Sequence, residues 1–260
     1  MWDPATYLRF GSERARPFFD LLTRVQADDP RFVVDLGCGP GNLTALLAAR
    51  WPEAQVLGVD NSPQMIEAAR AEAGPGRAEA ARLAFDLADL RDWRPPRPVD
   101  VFTCNAVLQW VPGHLTLLTS WAAWLAPGGW LAFQVPGNFG QPSHTILRDL
   151  AHSPRWQSRL RGLQLNRQAV DPRAYLDLLA SAGCEVDAWE TTYLHVLQGE
   201  DAVLDWYRGT GLRPVLAALP EAEAADFTGE YAARIREAYP AAPYGTVLPF
   251  RRVFVVAHHR

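Results

Sequence analysis

The chain contains no lysine, because all 25 of its basic residues are arginine. Without a side-chain amine, Schiff-base and amine-nucleophile mechanisms are excluded. Arginine offers a planar guanidinium that can bind a carboxylate through two parallel hydrogen bonds. The basic residues are outnumbered by 29 acidic ones, for a net charge of −4. This balance argues against nucleic acid as a partner.

Cysteine is scarce and scattered along the chain. Cys38, Cys104 and Cys184 form no CxxC pair and no cluster with histidine at metal-ligand spacing. The pattern predicts no metal site, and a sparse, odd cysteine count is typical of a reducing compartment. No apolar run approaches the roughly 18 residues of a membrane helix, and the first ten residues lack an apolar signal core. We therefore expect a cytoplasmic protein with no membrane partner and no obligate protein partner.

Short apolar runs alternate with helical patterns through the first half of the chain. Strands are predicted at residues 32–36, 55–60, 82–86, 99–105 and 130–135, with helices between them. This alternation predicts a mostly parallel, doubly wound sheet with helices on both faces.

The second half has a different pattern. Strand patterns at 185–196 and 247–257 flank a helical stretch at 200–240. We expect a closing antiparallel hairpin whose connection has grown into a small helical cap. The sequence thus predicts a single domain over residues 1–260, with an N-terminal lid at 1–26 and a helical cap insertion at 200–244.

The most informative stretch is "FVVDLGCGPGN", a strand followed by a glycine-rich turn. Open α/β sheets bind ligands where their parallel strands end. Asp60 ends the second predicted strand, where an acid can hold a pair of ribose hydroxyls. Glycine lets the turn bend sharply and approach a ligand closely, and the residues concerned are Gly37, Gly39 and Gly41.

Three further features of this turn bear on the type of ligand. Pro40 removes a backbone N–H that a pyrophosphate would use, and Asp35 would repel a phosphate while suiting a cation such as an amino group. Both observations argue against an NAD-dependent dehydrogenase, a class of enzyme that is built from the same βαβ units. Nothing beside Cys38 would activate a thiol, so we interpret it as a small turn residue.

Four motifs in order, "VVDLGCGPGN", "VLGVDNSPQM", "ADLRDW" and "VDVFTCNAVLQWV", resemble those of the class I S-adenosylmethionine methyltransferases. The resemblance implies a Rossmann-like, mostly parallel seven-stranded sheet with an antiparallel last strand. It implies S-adenosylmethionine as cofactor and S-adenosylhomocysteine as product. Asp86 is a rival to Asp89 for the acid after the third strand. The implied cofactor-binding residues are Asp35, Gly37, Gly39, Gly41, Asp60, Asn61, Met65, Asp89, Leu90, Asn105 and Ala106.

Arginines and aromatic residues occur together in "TYLRFGSERARP", "DWYRGTGLRP" and "LPFRRVF". These clusters favour an anionic methyl acceptor. A carboxylate acceptor is already ionised at neutral pH and needs no general base. His114, His144, His152 and His195 are isolated in the sequence, and we interpret them as surface or packing residues.

The segments "DPATYLRFGSERARP", "NAVLQWVPGH", "LAFQVPGN", "AGCEVDAWETTYLHV" and "DWYRGTGLRP" are similar to the trans-aconitate 2-methyltransferase family over nearly the whole chain. The resemblance implies methylation of one carboxylate of trans-aconitate, or of a related small polycarboxylic acid, to give a monomethyl ester. No catalytic base and no metal are required. The expected acceptor-binding residues are Tyr7, Arg9, Arg14, Gln109, Trp110, Tyr193, Arg213 and Arg252.

Other readings remain open from the residues alone. The aromatic content would also suit a lipid or quinone-like acceptor, or another small molecule. A non-catalytic S-adenosylmethionine-binding module is a further alternative. The proline-rich start of "PYGTVLPFRRVF" leaves open whether Arg251 or Arg252 points inward.

Overall fold

The computed structural model describes residues 11–74, 80–165 and 169–260. The chain divides into two compact units. The first comprises residues 1–135, 170–190 and 253–260, and the second comprises residues 136–169 and 191–252. Within the described ranges, no helix is both long enough and apolar enough to cross a membrane.

Strands and helices alternate as predicted in the first half of the chain. The elements, in chain order, are α1 (Gly11–Leu22), β1 (Phe32–Leu36), α2 (Asn42–Arg50), β2 (Gln55–Asp60), α3 (Pro63–Glu72), β3 (Leu83–Leu87), β4 (Val99–Asn105), α4 (His114–Ala123), β5 (Leu125–Pro136), α5 (Pro142–Ala151), α6 (Pro172–Ser181), β6 (Cys184–Leu197), α7 (Ala202–Arg208), α8 (Arg213–Ala218), α9 (Glu221–Ala238), β7 (Ala241–Ala242) and β8 (Gly245–His259).

One sheet has the order β3-β2-β1-β4-β5-β8-β6, and the two-residue β7 pairs with β8 in antiparallel fashion. β1 runs parallel to both β2 and β4, β2 runs parallel to β3, and β4 runs parallel to β5. The mostly parallel, doubly wound sheet is therefore confirmed, with β7 as a strand that the sequence did not predict. Its strand order reverses between β1 and β4, which is where such sheets bind ligands.

The core of the first unit forms on the central strands. Every residue of β1 is buried, as expected for a parallel strand with both faces covered. Phe102 of β4 and Trp121 of α4 are fully buried and stack with their ring centroids 6.3 Å apart. Tyr175 and Leu179 of α6 belong to the same apolar cluster. These contacts fix the strand ends from which the loops of the site emerge.

The second unit is mostly helical. α9 packs against α5, α7 and α8, and it buries Phe227, Tyr231 and Ile235 at helical spacing. The sequence did not predict α5, although Pro142 at its first turn is a typical helix start. The 200–244 segment lies in this unit. Its role as a cap, and that of residues 1–26 as a lid, stay predictions.

Gly37, Gly39 and Gly41 all have positive φ in the turn between β1 and α2, and the last two differ in how closely they are packed. Gly41 caps α2 with φ of 81°, and a Cβ there would lie 2.9 Å from the Cβ of Ala69 and 3.0 Å from Cζ of Phe85. Gly39 has φ of 55°, but a Cβ there would meet no heavy atom within 4 Å. Both positions require a left-handed backbone, and only Gly41 is also closely packed.

Gly41→Ala should therefore destabilise the protein more than Gly39→Ala. We expect Gly39→Ala to lower the free energy of unfolding by about 1–2 kcal/mol, the cost of a left-handed alanine. Gly41→Ala adds a steric clash worth roughly 1–3 kcal/mol more. Urea denaturation of the two variants measures the difference, and equal losses would contradict this account of the turn.

Candidate functional site

A pocket lies at the ends of β1, β2 and β4 in the first unit. Its lining includes every predicted cofactor-binding residue except Asp35 and Gly41. It also includes Trp110, which we predicted to bind the acceptor, and three residues for which we predicted no role. The lining residues are Gly37, Gly39, Pro40, Asp60, Asn61, Met65, Asp89, Leu90, Asn105, Ala106, Val107, Trp110 and Val111.

Asp60 connects two loops of the pocket wall. Its Oδ2 accepts a hydrogen bond from the Gly39 N–H at 3.0 Å, and its Oδ1 accepts one from the Ser62 N–H at 2.9 Å. Burial raises the pKa of Asp60, while the N–H groups of Ser62 and Gly39 lower it. Each carboxylate oxygen retains a lone pair that can accept a ligand hydroxyl. This geometry fits the role predicted for Asp60.

Asp35 does not line the pocket, contrary to the expectation that it faces a cationic ligand. It is 3% exposed, and its two oxygens accept hydrogen bonds from the hydroxyls of Thr44 at 2.6 Å and Thr103 at 3.1 Å. Burial raises the pKa of Asp35 to about 6, against the lowering effect of these two hydroxyls. Asp35 joins β1 to α2 and β4 inside the first unit, which is a structural role.

Gly41 is likewise absent from the pocket wall, because it packs on Ala69 and Phe85. Gly37 does line the pocket. A Cβ on Gly37 would lie 2.2 Å from Cγ2 of Val107, so the missing side chain makes room for Val107 in the wall.

The segment after β4 contains a strained residue. Ala106 has φ of 57°, and it is the one non-glycine residue with positive φ in the described ranges. Its N–H donates to the Gln134 carbonyl at 3.0 Å, and its carbonyl accepts from Nε2 of Gln109 at 2.5 Å. Nε2 of Gln134 also donates to Oδ1 of Asn105 at 2.6 Å. Strain that is stabilised in this way is typical of functional sites.

This arrangement changes the interpretation of Gln109. We predicted that Gln109 binds the acceptor, but its amide supports the Ala106 turn and it does not line the pocket. Its neighbour Trp110, predicted for the same role, does line the pocket.

The other side of the pocket combines an acid with apolar side chains. Asp89 accepts hydrogen bonds from the Arg91 guanidinium at 2.7 and 3.0 Å and from the Arg91 N–H at 2.9 Å. These bonds lower the pKa of Asp89 to about 2. Met65 and Leu90, both buried, provide apolar wall. Asp86 is exposed on β3 and lies outside the lining, so Asp89 is the acid at the pocket.

The charges of the pocket indicate the type of ligand. The lining contains the carboxylates of Asp60 and Asp89, and no arginine is among the described residues that form it. Because the Arg91 guanidinium balances the charge of Asp89, the net negative charge of the lining is that of the partly buried Asp60, which favours a cation over a phosphate. The geometry therefore argues against a dinucleotide.

The other predicted acceptor residues that the structure describes lie in the second unit. Arg252 is 3% exposed, with its guanidinium carbon 4.6 Å from the centroid of the Phe250 ring. Arg251 is half-buried, and its Nη1 donates to the Gly137 carbonyl at 2.9 Å. Arg252 is therefore the inward-pointing member of the pair.

Two more predicted acceptor residues of the second unit are at least half-buried. Tyr193 is buried and lies parallel to His195 with centroids 6.0 Å apart. Arg213 is half-buried at the first turn of α8. Tyr7 and Arg9 lie outside the described residues, and so does the side chain of Arg14.

Sequence reasoning missed three lining residues. Pro40 was considered only for the N–H that it lacks. Val107 and Val111 are four positions apart in "NAVLQWV" and line the pocket together. Their spacing around the short turn at Leu108–Trp110 could have indicated a shared face.

Comparison with known proteins is consistent with this geometry. Residues 33–129 match the family described as methyltransferase domain, and every lining residue of the pocket falls inside that stretch.

Two curated relatives match over almost the whole chain. A trans-aconitate 2-methyltransferase from Streptomyces avermitilis is 58% identical over 99% of this chain and 96% of its own length. The chain belongs to the trans-aconitate 2-methyltransferase family. A second trans-aconitate 2-methyltransferase, from Streptomyces coelicolor, is 57% identical over 98% of this chain and 86% of its own.

Outside the trans-aconitate 2-methyltransferase family, solved structures share the fold at low identity. A geranyl diphosphate C-methyltransferase from Streptomyces coelicolor, in complex with Mg²⁺, geranyl diphosphate and S-adenosyl-L-homocysteine, has a TM-score of 0.54. It is 18% identical, and the match covers 97% of this chain and 80% of that chain. This likeness supports the Rossmann-like methyltransferase fold.

The raised pKa of Asp35 predicts a pH dependence of stability. Between about pH 4 and pH 6 the folded protein binds more protons than the unfolded chain, so stability falls as the pH rises. The shift corresponds to about 3 kcal/mol. Asp35→Asn should remove this loss, because an amide does not ionise. One threonine hydroxyl can continue to donate to the amide oxygen, and the other can rotate to accept from the amide nitrogen.

Chemical denaturation at pH 4, 5, 6 and 7 checks the prediction for Asp35. Asp86→Asn, which removes an exposed carboxyl from the next-but-one strand, is the control. A loss of stability in Asp35→Asn as steep as in the parent protein would refute this account of the buried carboxyl.

Proposed function

We propose that this protein transfers a methyl group from S-adenosylmethionine to a carboxylate of trans-aconitate. The products are the monomethyl ester and S-adenosylhomocysteine. The observation that carries the proposal is the pocket where the strand order reverses, lined by two carboxylates and within the matched methyltransferase segment. The named activity of relatives that are more than half identical over nearly the full chain supports the acceptor.

The cofactor is S-adenosylmethionine, and the pocket residues fit its parts. Asp60 offers carboxylate oxygens to the ribose hydroxyls. Met65 and Leu90 offer apolar surface to the adenine, with Asp89 beside its amino group. The open backbone at Gly39 can accommodate the methionine portion, since no side chain occupies that space. The negative lining suits the positively charged sulfonium and amino groups.

When bound, S-adenosylmethionine supplies a methyl group on a positively charged sulfur. The acceptor oxygen bonds to the methyl carbon as the sulfur leaves from the opposite side. The protein's task is to hold the acceptor oxygen close to the methyl carbon and in line with the sulfur–methyl bond. No side chain has to remove a proton, because the acceptor carboxylate is ionised at neutral pH. Trp110 and Val107 exclude water from the pocket wall, which favours a step that neutralises charge.

Arginine and tyrosine side chains hold the acceptor's carboxylates in this proposal. Arg213, Arg252 and Tyr193 belong to the second unit, and two of the three are buried. Tyr7, Arg9 and Arg14 keep the same role as sequence-based predictions. A lipid or quinone-like acceptor is not favoured, since the relatives are named for a small tricarboxylic acid. A cytoplasmic location stays a prediction.

Asp60→Ala should abolish cofactor binding. The substitution removes the ribose acceptor and releases the loops at Gly39 and Ser62. Isothermal titration of S-adenosylhomocysteine measures the effect. Asp86→Ala, at the exposed position of the neighbouring strand, is the matched control and should bind as the parent does. Normal binding by Asp60→Ala would reject this location for the cofactor.

Arg213→Ala should raise the KM for trans-aconitate by roughly 10- to 100-fold, the usual consequence of losing a charge-assisted hydrogen bond. The affinity for S-adenosylhomocysteine should stay unchanged. Arg208→Ala is the control, because Arg208 is exposed and lies 3.7 Å from Asp205 in an ion pair. Methyl transfer is followed by detection of the ester product. A parallel loss of acceptor and cofactor affinity would argue against a specific acceptor role.

A further inference from the structure

Three tyrosine hydroxyls converge on one buried serine of the second unit. The Ser143 N–H donates to the Tyr239 hydroxyl at 3.1 Å, and the Ser143 carbonyl accepts from Tyr231 at 2.8 Å. Oγ of Ser143 lies 2.8 Å from the Tyr207 hydroxyl and 3.2 Å from that of Tyr239. All four residues are buried. The sequence separates them widely, so only the fold shows the cluster.

The hydroxyl hydrogens of this cluster outnumber the hydrogen bonds that they make within it. The Tyr231 hydroxyl donates its hydrogen to the Ser143 carbonyl. The remaining hydroxyls, those of Ser143, Tyr207 and Tyr239, have three hydrogens but share only two hydrogen bonds. One hydroxyl hydrogen therefore has no acceptor among the described residues. A buried donor without an acceptor is costly and calls for a ligand or a water molecule.

Asn138 adds a second donor at the same place. Its Nδ2 donates one hydrogen to the Tyr207 hydroxyl at 3.0 Å, and its buried Oδ1 has no hydrogen-bond partner. The other Nδ2 hydrogen also has no acceptor among the described residues. If the Asn138 amide is rotated so that Oδ1 and Nδ2 exchange places, Oδ1 can accept from the Tyr207 hydroxyl, but both amide hydrogens are then unpaired. In either orientation the pair of Tyr207 and Asn138 retains an unpaired donor.

The Tyr207 hydroxyl remains protonated, and the positive charge of Arg252 acts on it. Burial raises the pKa of Tyr207 well above its ordinary value, although Ser143, Asn138 and the positive charge of Arg252 oppose the rise. Tyr207 therefore keeps its proton and remains a donor at every physiological pH. Arg252 is itself buried, so its charge acts on Tyr207 with little screening.

We propose that the Tyr207 hydroxyl and the Asn138 amide bind one carboxylate of the methyl acceptor. The proposal rests on the proposed function and adds two specificity-determining residues to it. A carboxylate is the matching group, because it only accepts hydrogen bonds and its two oxygens can take several at once. An acceptor without that carboxylate would leave the buried donors unpaired, which is a strong basis for rejection.

Tyr207→Phe tests the proposal, with Tyr231→Phe as the matched control. Both substitutions remove one hydroxyl from the same buried cluster, but the Tyr231 hydrogen is already used by the Ser143 carbonyl. Calorimetric titration of trans-aconitate into protein saturated with S-adenosylhomocysteine measures acceptor binding without turnover. We expect roughly 10- to 100-fold weaker binding for Tyr207→Phe. Tyr231→Phe should bind acceptor as the parent protein does, and the affinity for S-adenosylhomocysteine should stay unchanged in both variants.

Asn138→Asp provides a second variant, should Tyr207→Phe fail to fold. It preserves the size of the side chain but replaces donors with a negative charge, so it should weaken trans-aconitate binding at least as much. Equal effects of Tyr207→Phe and Tyr231→Phe, or no effect of either, would overturn the proposal and leave water as the missing acceptor. If the parent protein neither binds nor methylates trans-aconitate, the proposed function fails and this inference fails with it.

Discussion

The Asp60 carboxylate is the group on which the pocket depends. Its two oxygens bind the backbone of the turn after β1 and of the loop that begins α3, so one side chain sets the distance between two walls. Burying that charge is tolerable because the N–H groups of Gly39 and Ser62 stabilise it. The same charge determines what the pocket attracts. With no described arginine in the lining, the site favours a cationic sulfonium ligand over a phosphate.

The pocket and most of the described residues proposed to bind the acceptor belong to different parts of the chain. The pocket lies entirely within residues 33–129, a stretch that also matches the general methyltransferase domain. The second unit contains buried Arg252 and a cluster of hydroxyl groups around Ser143, and it lies outside that stretch. The similarity to the trans-aconitate 2-methyltransferases includes both stretches, since it extends over almost the full chain.

Much of the fold and of the pocket could be predicted from sequence, because both depend on local patterns. Buried parallel strands appear as continuous apolar runs, and the residues after them meet at one sheet edge. The direction in which a side chain points within a central strand is not a local property, so the sequence could not predict that Asp35 accepts hydrogen bonds from Thr44 and Thr103. The hydrogen bond from the Gln109 amide to the Ala106 carbonyl could not be predicted either, since it depends on the strained backbone of Ala106. The hydroxyl cluster around Ser143 could not be predicted, since its members come from distant segments and α5 was itself missed.

A crystal structure of the protein with S-adenosylhomocysteine and trans-aconitate tests the central claim most directly. Both ribose hydroxyls should lie within hydrogen-bond distance of the Asp60 carboxylate, and the adenine ring should pack against Met65 and Leu90. One acceptor carboxylate oxygen should lie near the sulfur, along the direction in which the sulfur–methyl bond of S-adenosylmethionine would point. A ribose bound away from Asp60, or an acceptor with no carboxylate oxygen directed at the sulfur, would contradict it.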